Sequence, residues 1–512
     1  MTAPTLGIIA INDVYALTHL PRVASLVAHH RARTRADRWL VVLAGDFVAP
    51  SVLSSLDGGH RMVGCLNALG VTHVILGNHE DDVPVSELQA RVREFQGCWL
   101  GTNVHGFAPP LSRHDVVEVG GKRVGLVGVV MNDPNVYHRA PFGGVRLEDP
   151  NEVVVREAAR LRSASGCDTV IALTHQWVKD DRALAQTGVV PLIIGGHEHD
   201  PHLEHVAGAV ITKSGMDATH AAIVTLTLTE PPSVHVEHES TASYPLDPRL
   251  QQLVDEADAF IERLAGGVLV SRLPGPLSSQ GSRVRQTTMG TFVTSTLRDA
   301  LGVDGALFNG GGLRGSEAHT DVLTLGDLQN ELPFDNEVVV AVMPGRLVRE
   351  AVAYSRRHAP GTGHGGFLQV DDRARVGDDG HTLTHFAGAP LDDDRGYRVA
   401  VPRGHLLGLD RIEPFERFAR EQPDAVPAAG SGRSPRLILL EALVRARLAN
   451  AGSFEALDQD QDGRLTRAEL TRALTEQGAP PSETTVSLVL DTLDANHDRV
   501  LTRDEVHADD EP

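Results

Sequence analysis

Carboxylates, an amide and histidines recur in this chain at one kind of place, the end of a short apolar run. Asp13 lies in "NDVY" after "LGIIAI", and Asp46 in "AGDF" after "WLVVLA". Asn78 and His79 lie in "GNHE" after "HVIL", His175 in "LTHQ", and His197 and His199 in "GGHEH". Alone, an Asp after a strand is a cap or a turn residue, and a lone His is more often structure than ligand. As a set, hard oxygen donors mixed with imidazoles suit Zn²⁺, Mn²⁺ or Fe. A glycine precedes each of Asp46, Asn78 and His197 and lets the backbone turn tightly there. Two ions sharing one carboxylate would polarise a phosphate, lower the pKa of a bound water and clamp the attacking and leaving oxygens. That chemistry suits phosphate-ester hydrolysis. His79 with Asp82 three residues on forms a second unit: the carboxylate holds the imidazole, which stabilises charge or protonates a leaving group.

Alternating strand and helix patterns must position these residues. Apolar β-branched runs at 6–11, 39–44, 73–77, 123–130, 168–174, 190–196 and 221–228 read as strands. Residues 20–34 and 150–165 have helical spacing, so residues 1–230 predict an α/β sheet. Open α/β sheets place their sites at strand ends. Residues 231–266 read as a polar linker and an amphipathic connecting helix (249–265). A second α/β domain is expected over 267–418, a flexible linker over 419–435, and a helical, acidic tail over 436–512.

The net charge of −21 argues against a nucleic-acid polymer as partner. Cys65, Cys98 and Cys167 show no paired spacing, which fits a reducing compartment. The first residues carry no basic, apolar leader and no membrane-spanning run is found, so a cytoplasmic protein without a membrane partner is expected.

The order of motifs resembles the calcineurin-like metallophosphoesterases, and the later part resembles the 5′-nucleotidase family, which includes bacterial UDP-sugar hydrolases. Asp13, Asp46, Gly77–Asn78–His79–Glu80 with Asp82, His175, and His197 with His199 match its D-x-H, GD, GNHE-x-D, TH and GH-x-H pattern. The resemblance implies an α/β sandwich with two transition metals. Asp13, Asp46 and His199 would hold the first; Asp46, Asn78, His175 and His197 the second, with Asp46 bridging. His79 and Asp82 would be the catalytic dyad. The departure is Tyr15, where the family has a histidine ligand. Three readings stand: a phenolate ligand favouring Fe(III), a non-ligand with water in the gap, or an empty first site. The other ligand positions are intact, which favours an active centre.

In the second domain, "NGGGLRG" (309–315) offers glycine backbone N–H groups, Gly311 among them, beside Arg314. Arg283 and Arg285 in "SRVRQTTMG" add forked donors for a phosphate or carboxylate. These stretches and "LPFDNEVVV" resemble the nucleotidase substrate domain, which implies that Arg283 or Arg285, and Arg314, contact substrate. Phe334 would stack on a base and Asn336 would contact the nucleoside. The family's second aromatic and its GGDGY-like motif are missing from "PRGHLLGLDRIEPF" (402–415), where His405 or a leucine takes the aromatic position.

The tail holds a calcium-loop pattern: Asp458, Asp460, Asp462, Arg464 (through its backbone carbonyl), Thr466 and Glu469, with Gly463 at the sharp turn. A second copy runs Asp494, Asn496, Asp498, Val500 (again by its carbonyl), Thr502 and Glu505, with Arg499 replacing the glycine, so a weaker site is expected. The pair resembles an all-α EF-hand module; its protein partner is not readable. The leading reading is a dinuclear-metal phosphoester hydrolase of the 5′-nucleotidase type, working on a nucleotide or related small phosphate ester through a metal-activated water. The alternatives are a phosphodiesterase or pyrophosphohydrolase of the same fold, or a calcium-responsive binding protein with an impaired metal site.

Overall fold

A computed structural model of the chain describes residues 3–507 except 138–140, 316–317, 335, 358–362, 429, 476–480 and 497. It divides into two compact units, 1–259 and 260–512.

The first unit is built on two six-stranded sheets. In one, Thr5–Ile11, Arg38–Leu43, His73–Ile75 and Cys98–Leu100 run parallel, extended on the far side by the antiparallel strands His220–Thr227 and Ser233–Ser240. In the other, Lys122–Val130, Thr169–His175, Leu192–Gly196 and Ala209–Ser214 are parallel, with antiparallel edges at Asp115–Val119 and Pro201–Val206. The parallel strands are near-continuous apolar runs because both of their faces are covered. Ile8, Leu40 and Val42 of one sheet share a core with Leu126, Ile171 and Ile194 of the other. The helix Pro150–Ser165 buries Val153, Val154, Ala158 and Leu161 on the outer face of the second sheet, against Val127, Val129 and Ala172. Asp149 caps that helix through the Glu152 N–H, and Gly166 in the left-handed region ends it. The expected elements of this unit are found within a few residues of their sequence bounds. One expectation changes. Residues 233–240, assigned to a linker, form the edge strand of the first sheet; the alternation in "SVHVEHES" buries Val236 and leaves its charged neighbours outside.

The second unit centres on the sheet order Val338–Pro344, Gly396–Pro402, Gly305–Asn309, Leu368–Val370. Its core joins Leu307, Val339, Tyr397 and Val399 to Leu347, Val348 and Val352 of the helix Gly345–Ser355. Residues 419–435, expected as a flexible linker, are tied to this domain. Arg433 and Val338 exchange both backbone hydrogen bonds, at 2.9 and 3.0 Å, and the Gly432 N–H donates to Glu337. The Arg403 guanidinium donates to the Pro427 carbonyl (2.8 Å). The tail then packs on the same domain: helix Pro435–Ala451 lies against helix Thr288–Ala300, and the Val268 N–H donates to Thr485 Oγ1 (3.1 Å). The two calcium-type loops are joined by a short antiparallel pair, Arg464–Thr466 with Val500–Thr502, so the module is not purely helical. Among the described residues no helix is long and apolar enough to cross a membrane.

Candidate metal centre

The sequence-predicted ligands of the first unit converge at the ends of the parallel strands. Asp13, Asp46 and His197 each adopt positive φ, at 52°, 55° and 85°. That conformation is unfavourable for residues with a Cβ, and its persistence in three ligand candidates marks a place where local strain is held for function. The glycines beside them are needed for close approach. A Cβ at Gly77 would lie 2.1 Å from Asp46 Oδ1, and one at Gly196 2.2 Å from the Ala44 carbonyl.

Each carboxylate is pinned by one oxygen and presents the other. Asp13 Oδ2 accepts from Asn12 Nδ2 (2.6 Å) and the His197 N–H (2.9 Å). Asp46 Oδ1 accepts from the His79 N–H (2.8 Å), while Oδ2 lies 3.0 Å from His175 Nε2. His175 Nδ1 donates to the Ala44 carbonyl (2.8 Å), which fixes the tautomer and turns Nε2 toward the carboxylates. His197 Nδ1 lies 3.2 Å from Asn78 Oδ1, and Trp177 covers its ring edge-on at 4.1 Å. The Nε2 atoms of His175 and His197 are buried, yet neither makes a hydrogen bond of acceptable geometry. Buried imidazole nitrogens without a partner are costly. Asp46, His175 and His197 also bring one ligand atom each within 4.8 Å of one another. The donor set and these orphaned nitrogens fit a cation.

Burial alone would raise the Asp46 acid, but His175 and His79 outweigh it and hold the carboxylate well below its usual range. Burial alone would lower the His175 imidazole; the Asp46 carboxylate reverses this and lifts it to about 9. His197 is held well below the ordinary imidazole value by burial and by the neighbouring His175. His79 Nδ1 donates to Asp82 Oδ2 at 2.7 Å, so these two side chains are in contact. His199 sits on the rim, half exposed, 3.6 Å from Asp13 Oδ1. The Tyr15 hydroxyl reaches Asp13 Oδ1 (3.3 Å), Asp46 Oδ2 (3.4 Å) and His199 Nε2 (3.2 Å).

Three positioning residues were not singled out from sequence. Asn12 spans Asp13, the Gly215 carbonyl and Ser214. Asp217 Oδ1 accepts the Tyr15 and Ala16 N–H groups and fixes that loop. Glu80, fully buried, accepts four backbone N–H groups, from Asp46, Phe47, Val48 and Gly77. Glu80 alone carried a signal, its place in "GNHE"; the other two act on residues about 200 positions away.

In the second unit the expected anion loop behaves differently. The Gly310 and Gly311 N–H groups are spent on the Phe367 and Gly365 carbonyls (2.8 and 2.7 Å), so they are not offered to a ligand. A Cβ at Gly311 would meet Gly365 Cα at 2.9 Å, which is the reason for glycine there. Arg285 folds its guanidinium onto the Gln280 carbonyl of its own turn, whereas Arg283 is exposed. Arg314 donates to the Gly311 carbonyl and stacks over the half-exposed Phe334 ring at 5.1 Å; Asn336 is exposed nearby in sequence. His405 is buried and offers no stacking face, while Leu407 and Leu409 of the same segment are exposed. Asp410, missed in the altered motif, accepts from Asn309 Nδ2 (3.1 Å) and lies against Gly365 and Gly366.

In the first calcium-type loop, Asp458, Asp460 and Asp462 converge, and Gly463 takes φ 83°. Glu469 Oε1 and Oε2 accept the Gln459 and Thr466 N–H groups (2.9 and 2.8 Å). In the second, Arg499 is forced to φ 68°, and its guanidinium turns out of the loop to Asp491 (2.6 Å). Glu505 mirrors Glu469, accepting from Ala495 and Thr502.

Comparison with known proteins matches residues 6–201 to the calcineurin-like phosphoesterase family model. Residues 268–417 match the 5′-nucleotidase C-terminal domain, and 447–508 an EF-hand domain pair. An apyrase of Tabanus yao is 26% identical over 400 residues, 69% of each chain. The 5′-nucleotidase of Bos taurus is 23% identical over 508 residues, covering 86% of this chain and 87% of its own. The solved NAD nucleotidase of Haemophilus influenzae superposes with a TM-score of 0.67 at 17% identity, covering 84% of this chain and 96% of its own.

Proposed function

We propose, for a chain that belongs to the calcineurin-like metallophosphoesterases of the 5′-nucleotidase type, the hydrolysis of a nucleotide or closely related small phosphate ester. The single observation that carries this is the convergence of Asp13, Asp46, His175 and His197, with two buried imidazole nitrogens left for a cation. Asp46, Asn78, His175 and His197 would hold one ion, and Asp13, Asp46 and His199 the other; Zn, Mn and Fe all suit these donors. When bound, two such ions polarise phosphoryl oxygens and supply a nucleophilic water at neutral pH.

The chain's own residues supply the rest. The Asp46 carboxylate is fixed by the His79 amide through Oδ1, which leaves Oδ2 turned toward His175 and the cation position. Asp82 holds the His79 ring through Nδ1, and its carboxylate would stabilise a positive charge on the ring, which suits His79 to neutralise the phosphoryl oxygens or protonate the departing one. Glu80 locks the Asp46 loop to the Gly77 loop, so the groups need not reorganise when charge develops. In the second unit, Arg314 and Phe334 form the face assigned to the nucleoside, with Arg283 and Asn336 beside it in role. No second aromatic stands in the 402–408 segment; exposed Leu407 supports an apolar, less discriminating contact with the base.

The binding-protein alternative loses its ground because the ligand constellation and the dyad are both assembled. The test is phosphate release from a panel of nucleoside monophosphates, diphosphates and cyclic diesters by protein loaded with Mn²⁺ alone and with iron followed by Mn²⁺. Turnover of monophosphates that disappears in His79→Ala is expected. Absence of turnover across the panel at full metal loading overturns the reading.

A further inference from the structure

The contacts of Tyr15 are poor hydrogen bonds and good ligand spacings. A phenol has one proton to donate, and an O–H···O bond is about 2.5–3.0 Å long, at the short end of that range when charge-assisted. The Tyr15 hydroxyl instead stands 3.3 Å from Asp13 Oδ1, 3.4 Å from Asp46 Oδ2 and 3.2 Å from His199 Nε2. As a hydrogen-bonded set this leaves one carboxylate oxygen facing the phenol oxygen with no proton between them. Asp13 Oδ1 and His199 Nε2 are themselves 3.6 Å apart. Donor atoms around a cation with bonds of about 2.1 Å are separated by about 3.4 Å in a tetrahedron and about 3.0 Å in an octahedron. The Tyr15 oxygen therefore sits where a fourth donor belongs, and the oxygens facing it are those left over once the His197 and His79 amides have taken the others.

We propose that Tyr15 is a protein ligand of the first metal position, bound as phenolate, and that it selects trivalent iron there. Binding exchanges the phenol proton, released to solvent, for the metal–oxygen bond. The charge count supports the trivalent ion: Asp13, Asp46 and the phenolate provide three negative charges. The second position draws on the shared Asp46, a neutral amide and two imidazoles, and suits a divalent ion. The inference rests on the metal-centre reading above.

The test uses full-length protein freed of metal by a chelator and titrated with ferric citrate, then Mn²⁺. A visible phenolate-to-iron charge-transfer band is expected with the first equivalent, with tyrosinate modes in its resonance Raman spectrum. Tyr15→Phe, which keeps the ring contacts to His79 and His199 (centroids 6.1 and 5.7 Å), should abolish the band. It should also weaken one of the two ions at least tenfold and leave the other unchanged. Tyr15→His should restore uptake of two ions without the band. Colourless iron-loaded wild type, or Tyr15→Phe binding two ions with wild-type affinity, overturns this inference alone. Wild type that takes up no ion at either position overturns the metal-centre reading with it.

Discussion

Glu80→Gln offers a sharp test of how the centre is held together. The Glu80 carboxylate is fully buried; Oε1 accepts the Phe47 and Val48 N–H groups (2.7 and 2.9 Å), and Oε2 those of Asp46 and Gly77 (2.9 and 2.5 Å). Glutamine has nearly the same shape, but whichever way its amide is turned, its NH₂ faces two backbone donors. Two hydrogen bonds to a charged acceptor are lost, each about 1.5–3 kcal/mol, and two buried N–H groups are orphaned. Relief from burying a charge offsets part of this, because burial and the Asp46 carboxylate lift the Glu80 acid to about 7. The expected net loss is about 3 kcal/mol. The three tryptophans, Trp39, Trp99 and Trp177, all lie in the first unit, so denaturant unfolding followed by their fluorescence reports on that unit. A second consequence is separable: the Asp46 and Gly77 loops lose their tie, so metal affinity falls about tenfold for every 1.4 kcal/mol spent realigning them. A loss below about 1 kcal/mol, with unchanged metal affinity, would refute the idea that Glu80 clamps the two loops.

Other outcomes follow from the same geometry. The His175 ring, lifted to about 9 by Asp46 against the effect of burial, carries a proton that a cation must displace. Metal affinity should therefore rise with pH up to about 9 and then flatten, with proton release measured by calorimetry in buffers of different ionisation enthalpy. Asp82→Asn removes the charge that supports His79 and should lower kcat about 10²–10⁴-fold with metal content unchanged, as read by steady-state kinetics and elemental analysis. Phe334→Ala should raise KM for a nucleotide by about 1–3 kcal/mol in free-energy terms and leave p-nitrophenyl phosphate turnover unaltered. Arg499→Gly, which removes a side chain held at φ 68°, should tighten calcium binding at the second loop in titration calorimetry, while Glu469→Gln should weaken the first.

The residues proposed as metal ligands in the first unit were legible because each follows an apolar run that forms a parallel strand. The pattern that makes the strand also dictates which end its polar tip occupies. His79 and Asp82 were legible because three residues are enough to bring them together within one turn. The edge strand Ser233–Ser240 was not, since its exposed face is as polar as a linker and only pairing with His220–Thr227 makes it a strand. The 419–435 segment was misjudged for a similar reason: its composition allows flexibility, and its hydrogen bonds to Glu337 and Val338 remove it. In the second unit the glycines of "NGGGLRG" announced a tight turn, but not that their N–H groups are used within the fold. Nor did sequence separate Arg283 from Arg285.

The sequence by itself determined which chemical groups this protein owns and that they stand at strand ends, because side-chain type and short-range periodicity are local properties. The tertiary structure decided which oxygen of each carboxylate faces inward, which imidazole nitrogen is left without a partner, and that the Tyr15 hydroxyl stands among Asp13, Asp46 and His199. Those outcomes depend on contacts between residues 202 positions apart, such as Asn12 with Ser214, whose register is set only when the sheets have packed.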